Sequence, residues 1–185
     1  VAAPGGILAL DLAGDTGWAY GHVHDRTPDC GVIRLPRPAE YGERVAAIQN
    51  ELERLCEDLQ PQKVIIEAAL PLAALAGHTT FDTVRQQFAF NGAAHAAAWR
   101  VYAAREEISA DVVRTELLGR CRLTKREQDA GRTMKDLVTD YCRQRGWKPP
   151  DHNAADALMI WAWHVGRLRG TRPVSGPLFQ ERALQ

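Results

Sequence analysis

Two short apolar runs, each closed by a carboxylate, constrain this 185-residue chain more than any other feature. The first is Ile7-Leu-Ala-Leu10, closed by Asp11. The second is Val64-Ile-Ile66, closed by Glu67. A brief continuous apolar run between glycines or polar residues reads as a strand covered on both faces. A carboxylate at the end of such a strand lies where an unpaired charge costs several kcal/mol or stays protonated. A bound cation or a catalytic duty would account for it.

The chain between and after these runs supplies the rest of an α/β layout. Gly14 and Gly17 allow a tight turn after Asp11, and Trp18 to Val23 then reads as a strand returning beside the first. Cys30 to Leu35 reads as a third strand, ended by Pro36 and Pro38. From Ala39 to Leu59, Val45, Ile48, Leu52, Leu55 and Leu59 recur at three- and four-residue steps, the pattern of an amphipathic helix, and Pro61 stops it. The strand Lys63 to Ala68 can therefore lie parallel to the first through a right-handed crossover. That arrangement brings Asp11 and Glu67 out side by side.

Pro71 to His78 reads as a loop, and Thr80 to Ala104 as a long helix with a small-residue middle, Gly92 to Ala98. Glu107 to Ala110 reads as the last strand. Asp111 is the expected cap of a short helix, Val112 to Leu118, closed by Gly119. Arg120 to Gly131 reads as a polar, mobile segment, and Arg132 to Arg145 as a helix stopped by Gly146. After the rigid Trp147-Lys-Pro-Pro150, the last long helix runs from Asn153 to Arg169. These elements predict one domain over 1–170, a five-stranded mixed sheet with helices on both faces, and an irregular tail over 171–185.

Composition narrows the function classes. Lys and Arg total 23, as do Asp and Glu, so formal net charge is zero; apolar residues make up 45% and charged residues 25%. These values suit an ordinary globular domain and argue against a strongly basic coat protein, without excluding local patches. Cys30, Cys56, Cys121 and Cys142 are scattered with no zinc-like spacing, which suggests free thiols in a reducing compartment. No apolar stretch reaches a membrane span and no signal peptide is evident, so a cytoplasmic location without membrane contact is expected.

A third carboxylate completes the pattern. Asp156 sits among alanines and large apolar residues of the last helix, sharing a face with Ala157, Ile160, Trp161 and His164, and Asn153 lies one turn earlier. Three converging carboxylates repel one another unless hard cations such as magnesium or manganese neutralise them. Two such ions roughly 4 Å apart can drive phosphodiester hydrolysis. Trp161 and Trp163 read as core anchors, and His95 and His164 as structural.

The order strand-Asp, crossover, strand-Glu, late helix-Asp resembles the ribonuclease H-like superfamily, and within it the RuvC-type Holliday junction resolvases, over Ile7 to about Leu168. Leu10-Asp-Leu-Ala-Gly-Asp-Thr-Gly-Trp-Ala19 is similar to the opening Asp and Thr-Gly turn of that family, Val64-Ile-Ile-Glu67 to its strand-end Glu, and Asn153-Ala-Ala-Asp-Ala157 to its final helix motif, in the spelling of phage-type members. The resemblance implies a magnesium-dependent crossover junction endonuclease, with manganese able to substitute and two ions per site. It implies that Asp11, Glu67, Asp156 and Asn153 are the catalytic and metal-binding set, leaving 5′-phosphate and 3′-hydroxyl ends. Asn153 stands where many members have Asp or His, so His152 or Asp151 could supply the fourth ligand instead. Leu70 stands near the position of an aromatic wedge in some members, and Phe81 could serve in its place.

The resemblance also implies a homodimer acting on branched DNA, the four-way junction above all, with no small-molecule cofactor. The Ala-rich helix is the candidate interface. Between Arg114 and Lys148, ten cations stand against five anions, a local excess of +5 in a neutral chain. Phosphate contacts dominate DNA affinity, so such an excess is usable. Arg114 and Lys135 match the basic positions of the family, and Lys125 and Arg126 are further candidate phosphate contacts. Three other readings remain: a less selective nuclease of flaps, forks or RNA–DNA hybrids, a junction-binding protein that does not cut, and an actin-like ATPase, for which 185 residues are too few.

Overall fold

A computed structural model of the chain describes residues 5–69 and 80–170. The expected loop over 71–78, the position of Leu70 and the tail over 171–185 lie outside the described residues. Eleven elements follow in order among those described: β1 Ile7–Asp11, β2 Asp15–Gly21, β3 Asp29–Arg34, α1 Tyr41–Leu59, β4 Lys63–Glu67, α2 Phe81–Arg100, β5 Ala104–Ile108, α3 Ala110–Leu118, α4 Lys125–Asp129, α5 Met134–Gln144 and α6 His152–Leu168.

The sheet runs β3-β2-β1-β4-β5. β1, β2 and β3 form the antiparallel meander, and β4 and β5 add in parallel beside β1. This is the five-stranded mixed sheet expected from the sequence. Successive side chains of a strand point to opposite faces, and the two cores sort accordingly. Leu8, Leu10, Val64 and Ile66 pack with α1 and α2 through Ile48, Leu52, Phe90 and Ala97. Ile7, Ala9 and Ile65 face the other way and pack with α3, α5 and α6 through Val113, Val138, Leu158 and Trp161. Burying each large apolar side chain contributes roughly 1.5–3 kcal/mol.

Helix α6 lies across the meander because its first turns are small. Ala154, Ala155 and Ala157 are fully buried. Trp161 and Trp163 are core anchors, as expected: their indole N–H groups donate to the Gly21 carbonyl at 3.2 Å and to Glu116 at 2.8 Å. His95 bridges α2 to β5 through Glu107 at 2.7 Å, and His164 is buried 3.7 Å from Glu106.

Several boundaries differ from the sequence reading, each for a local reason. β2 begins at Asp15 rather than Trp18, because Gly17 pairs with both Asp11 and Val32 although it brings no side chain to a strand. α2 stops at Arg100 rather than Ala104. Tyr102 takes the left-handed conformation at φ 57°, and the amides of Tyr102 and Ala103 bond back to the Trp99 and Ala98 carbonyls. β5 is therefore Ala104–Ile108, a polar edge strand, rather than Glu107 to Ala110. Ser109, not Asp111, caps α3 by accepting from the Asp111 amide. The segment expected to be mobile holds α4, whose Thr124 and Glu127 form a reciprocal capping box.

Candidate active site

Strand parity sets the site. Ile7, Ala9 and Asp11 share one face of β1, and Lys63, Ile65 and Glu67 share the same face of the parallel neighbour β4. Leu10 pairs with Ile66, so the two carboxylates leave adjacent strand ends on the side covered by α6. Asp11 is only 8% exposed, and it shares a hydrogen bond with Glu67. Asp156, on the second turn of α6, is close enough for its charge to act on both.

Burial is the largest influence on Asp11 and pushes its pKa well above the usual carboxylate range. The hydrogen bond to Glu67 and the charges of Glu67 and Asp156 push the same way, against Arg114. Burial also raises Glu67, while the hydrogen bond it shares with Asp11 opposes that rise. Two buried carboxyl groups this close share a proton more readily than they both ionise. Arg114, on α3, donates from Nη2 to Asp156 Oδ1 at 3.0 Å. Burial disfavours its charge, but Asp156 and Glu67 outweigh that and raise its pKa. Glu67, Arg114 and Asp156 line one narrow pocket with Val113, Met159 and Ile160.

The donor chemistry fits a hard cation. Three carboxylates offer only oxygen, and burial, with the neighbouring carboxylates adding to it, makes the ionised form of two of them costly without a cation. The trio does not by itself form a closed ligand shell. Among the described residues, no three His, Cys, Asp or Glu side chains stand close enough to hold one ion, and Asp156 is engaged with Arg114.

The remaining candidates lie at graded distances from this pocket. The backbone of Asn153 presses against Gly17, the strand partner of Asp11. Asp151 caps α6, accepting from the amides of Asn153 and Ala154 at 3.0 Å each. His152 is exposed and lines a separate cleft of about 630 Å³ with Lys135, Arg132 and Arg143. Lys125 and Arg126 are exposed at the start of α4. Arg114 stands among the carboxylates rather than on an open basic surface. The resemblance marks Arg114 as a basic position, but no sequence signal places it among the carboxylates; that follows from the packing of the neighbouring Val113 into the α6 core.

No family model matches the chain, and no curated protein sequence matches it. Solved structures do. RuvC of Thermus thermophilus is 19% identical with a TM-score of 0.67, over 90% of this chain and 97% of its own. T. thermophilus RuvC in complex with Holliday junction substrate gives the same identity and score, over 90% and 96%. The yeast mitochondrial Holliday junction resolvase Ydc2 is 12% identical with a TM-score of 0.61, over 91% and 82%. The likeness at these identities is one of architecture: this chain has the ribonuclease H-like fold of the RuvC-type Holliday junction resolvases.

Proposed function

We propose that this chain is a structure-selective endonuclease that resolves four-way DNA junctions by paired, metal-dependent nicks. The observation that carries the reading is the hydrogen-bonded Asp11–Glu67 pair on adjacent parallel strand ends, with Asp156 brought over it by α6. The fold adds support, since a protein of the same architecture is seen with a Holliday junction.

Asp11, Glu67 and Asp156 would hold the magnesium or manganese ions, with the Asn153 amide as a neutral oxygen donor beside them. His152 is the outer candidate, and Asp151 is committed to its cap. Such ions, when bound, neutralise charge developing on a phosphodiester and lower the pKa of an attacking water. The protein's own part is positional. Strand register fixes two carboxylates, and helix packing fixes the third. Lys135, with Lys125 and Arg126 further out, would hold backbone phosphates.

Paired nicks call for two sites, and the partner proposed is a second copy of this chain, so that symmetry matches the junction. The α2 residues Phe88, Gly92, Ala96 and Trp99 fall on one stripe, extended by Phe81. Phe81, Phe88 and Trp99 are 78%, 52% and 64% exposed, an apolar row that water covers in the single chain.

The test is a labelled four-way junction beside a flap and an RNA–DNA hybrid, each with magnesium, manganese, calcium or chelator. Symmetric nicks in the junction alone, with magnesium or manganese alone, are expected. Equal cutting of all three substrates would favour the less selective nuclease, and binding without cutting under every condition would favour the junction-binding protein.

A further inference from the structure

We infer that Arg114 is an internal counter-ion that a divalent cation displaces from Asp156, so that this arginine sets the metal affinity of the site. The inference rests on the metal-dependent reading above and adds a competitor to it.

Arg114 is held loosely for a half-buried arginine. Its side chain is 22% exposed and that of Asp156 12%, so both charges have lost most of their water. In return the pair makes a single hydrogen bond, Nη2 to Oδ1. Arg114 Nε is buried and has no hydrogen-bond partner among the described residues. A guanidinium held permanently on a carboxylate uses its fork to make two parallel bonds. The same chain shows that arrangement elsewhere: Arg120 donates from Nη1 and Nη2 to the two oxygens of Glu127 at 2.8 and 2.6 Å. Arg114 is thus half-buried, with an unpartnered Nε, and bonded like a provisional counter-ion. A buried donor left unsatisfied carries a real cost, and that cost favours release when a better cation arrives.

Charge points the same way. Arg114 feels Glu67 and Asp111 as well as Asp156, so it neutralises part of the pocket without touching every wall. A divalent ion held by these carboxylates would replace it with twice the charge. Both cations cannot share Asp156 closely, because the guanidinium would stand against the ion at a range where like charges repel strongly. Asp156 accepts from the arginine at 3.0 Å, so it is engaged where it would otherwise face a cation.

The experiment is a titration with manganese alone, at low ionic strength and without DNA, read by calorimetry and by the electron paramagnetic resonance of free manganese. Wild type, Arg114→Met and Arg114→Lys are compared after circular dichroism shows each folded. Removal of the competitor is expected to tighten manganese binding about tenfold in Arg114→Met, with Arg114→Lys between it and wild type. A second readout needs no variant: the Arg114 Nε–H resonance of the wild type should move as magnesium is added. Equal or weaker manganese binding by both variants, or an Nε–H signal indifferent to magnesium, would overturn the inference while leaving the nuclease reading intact. If Arg114→Met does not fold, the lysine variant and the wild-type resonance decide. No manganese binding by any folded form would instead remove the metal reading itself, and the inference with it.

Discussion

Gly17 lies so close to Asn153 that a Cβ built on the glycine would stand 2.0 Å from the Asn153 carbonyl oxygen and 2.2 Å from its carbonyl carbon. Both atoms are backbone, so neither can swing away. Gly17 is also the strand partner of Asp11. The contact therefore sets the height of α6, and with it Asp156, over the carboxylate pair. Gly17→Ala should destabilise the fold by about 3 kcal/mol or more, at the upper end of overpacking costs, and should abolish nicking. Gly42, in the first turn of α1, has nothing within 4 Å of its would-be Cβ. Gly42→Ala should instead leave stability equal or raise it by about 0.5 kcal/mol. Urea unfolding of the two variants checks the contrast, and equal midpoints would mean that α6 is not seated by Gly17.

Asp11→Asn should make the metal-free protein more stable at neutral pH while it stops cleavage. Folding raises the Asp11 pKa, so the folded state holds a proton more readily than the unfolded chain. Stability then falls as pH rises from the ordinary carboxylate pKa through the raised one. Asn fixes the neutral form and keeps a donor toward Glu67, so this loss disappears. A gain of about 1 kcal/mol is expected, in the usual range for relieving strain at an active site. Thermal unfolding with chelator, from pH 5 to pH 8, should show the wild type losing stability more steeply than Asp11→Asn. Parallel curves would mean that folding does not raise the Asp11 pKa.

What the sequence can and cannot reveal follows from how far each signal reaches. The two apolar runs carry strand, burial and face at once, because a period of two assigns Asp11 and Glu67 to one side as soon as the strands are parallel. The end of α2 is not legible. Its stop is Tyr102 in a conformation usually taken by glycine, held by bonds to Ala98 and Trp99 rather than by residue type. β5 is hard to place for a related reason: Ala-Arg-Glu-Glu-Ile is polar because it forms a sheet edge. α4, by contrast, is spelled in Thr124-Lys-Arg-Glu127, a capping-box pattern that the surrounding charge obscures. The carboxylate trio follows from pattern, but the bond from Arg114 to Asp156 joins residues 42 apart and depends on how two helices pack.

Glu127 should tie down α4 at neutral pH and release it in acid. Hydrogen bonds from Arg120 and then Thr124 lower its pKa from the ordinary 4.5 to about 2. A depressed carboxylate stabilises fully above its unfolded pKa, and that contribution is lost as pH falls from 4.5 through about 2. Glu127→Gln should therefore speed amide exchange of Lys125 to Ala130 at pH 7, while Asp11 and Glu67 keep their environment. Only below about pH 2 should the variant and wild type converge. A difference that persisted there would mean the side chain acts by packing rather than charge.

Phe88→Glu should yield a folded monomer. Phe88 is half-exposed in the single chain, so the substitution opens no cavity. In a symmetric pair, each copy would instead bury a carboxylate against the α2 stripe of the other, at a cost of a few kcal/mol. Analytical ultracentrifugation should find a dimer for wild type and a monomer for the variant. Junction cutting should shift from paired to single nicks. A wild type that sediments as a monomer at all concentrations would discard α2 as the interface.

Lys135 should act on affinity for DNA of any sequence and not on folding. It lies on the first turn of α5, in the cleft that also receives His152 at the start of α6. The acids of that cleft are engaged: Asp140 pairs with Arg132 and Arg143, Asp136 caps at Thr133, and Asp151 caps α6. Lys135 is exposed, and its ammonium has no ion pair among the described residues. A phosphate bound there releases a counterion, and the dependence of log K on log salt steepens by about 0.9 for each such contact. Lys135→Ala should lower that slope by about this amount, weaken four-way junctions and plain duplex alike, and leave the unfolding midpoint unchanged. Fluorescence anisotropy in calcium over a potassium chloride series measures it. An unchanged slope would place the DNA path away from this cleft, whereas a loss confined to four-way junctions would make Lys135 a reader of branch geometry rather than a phosphate contact.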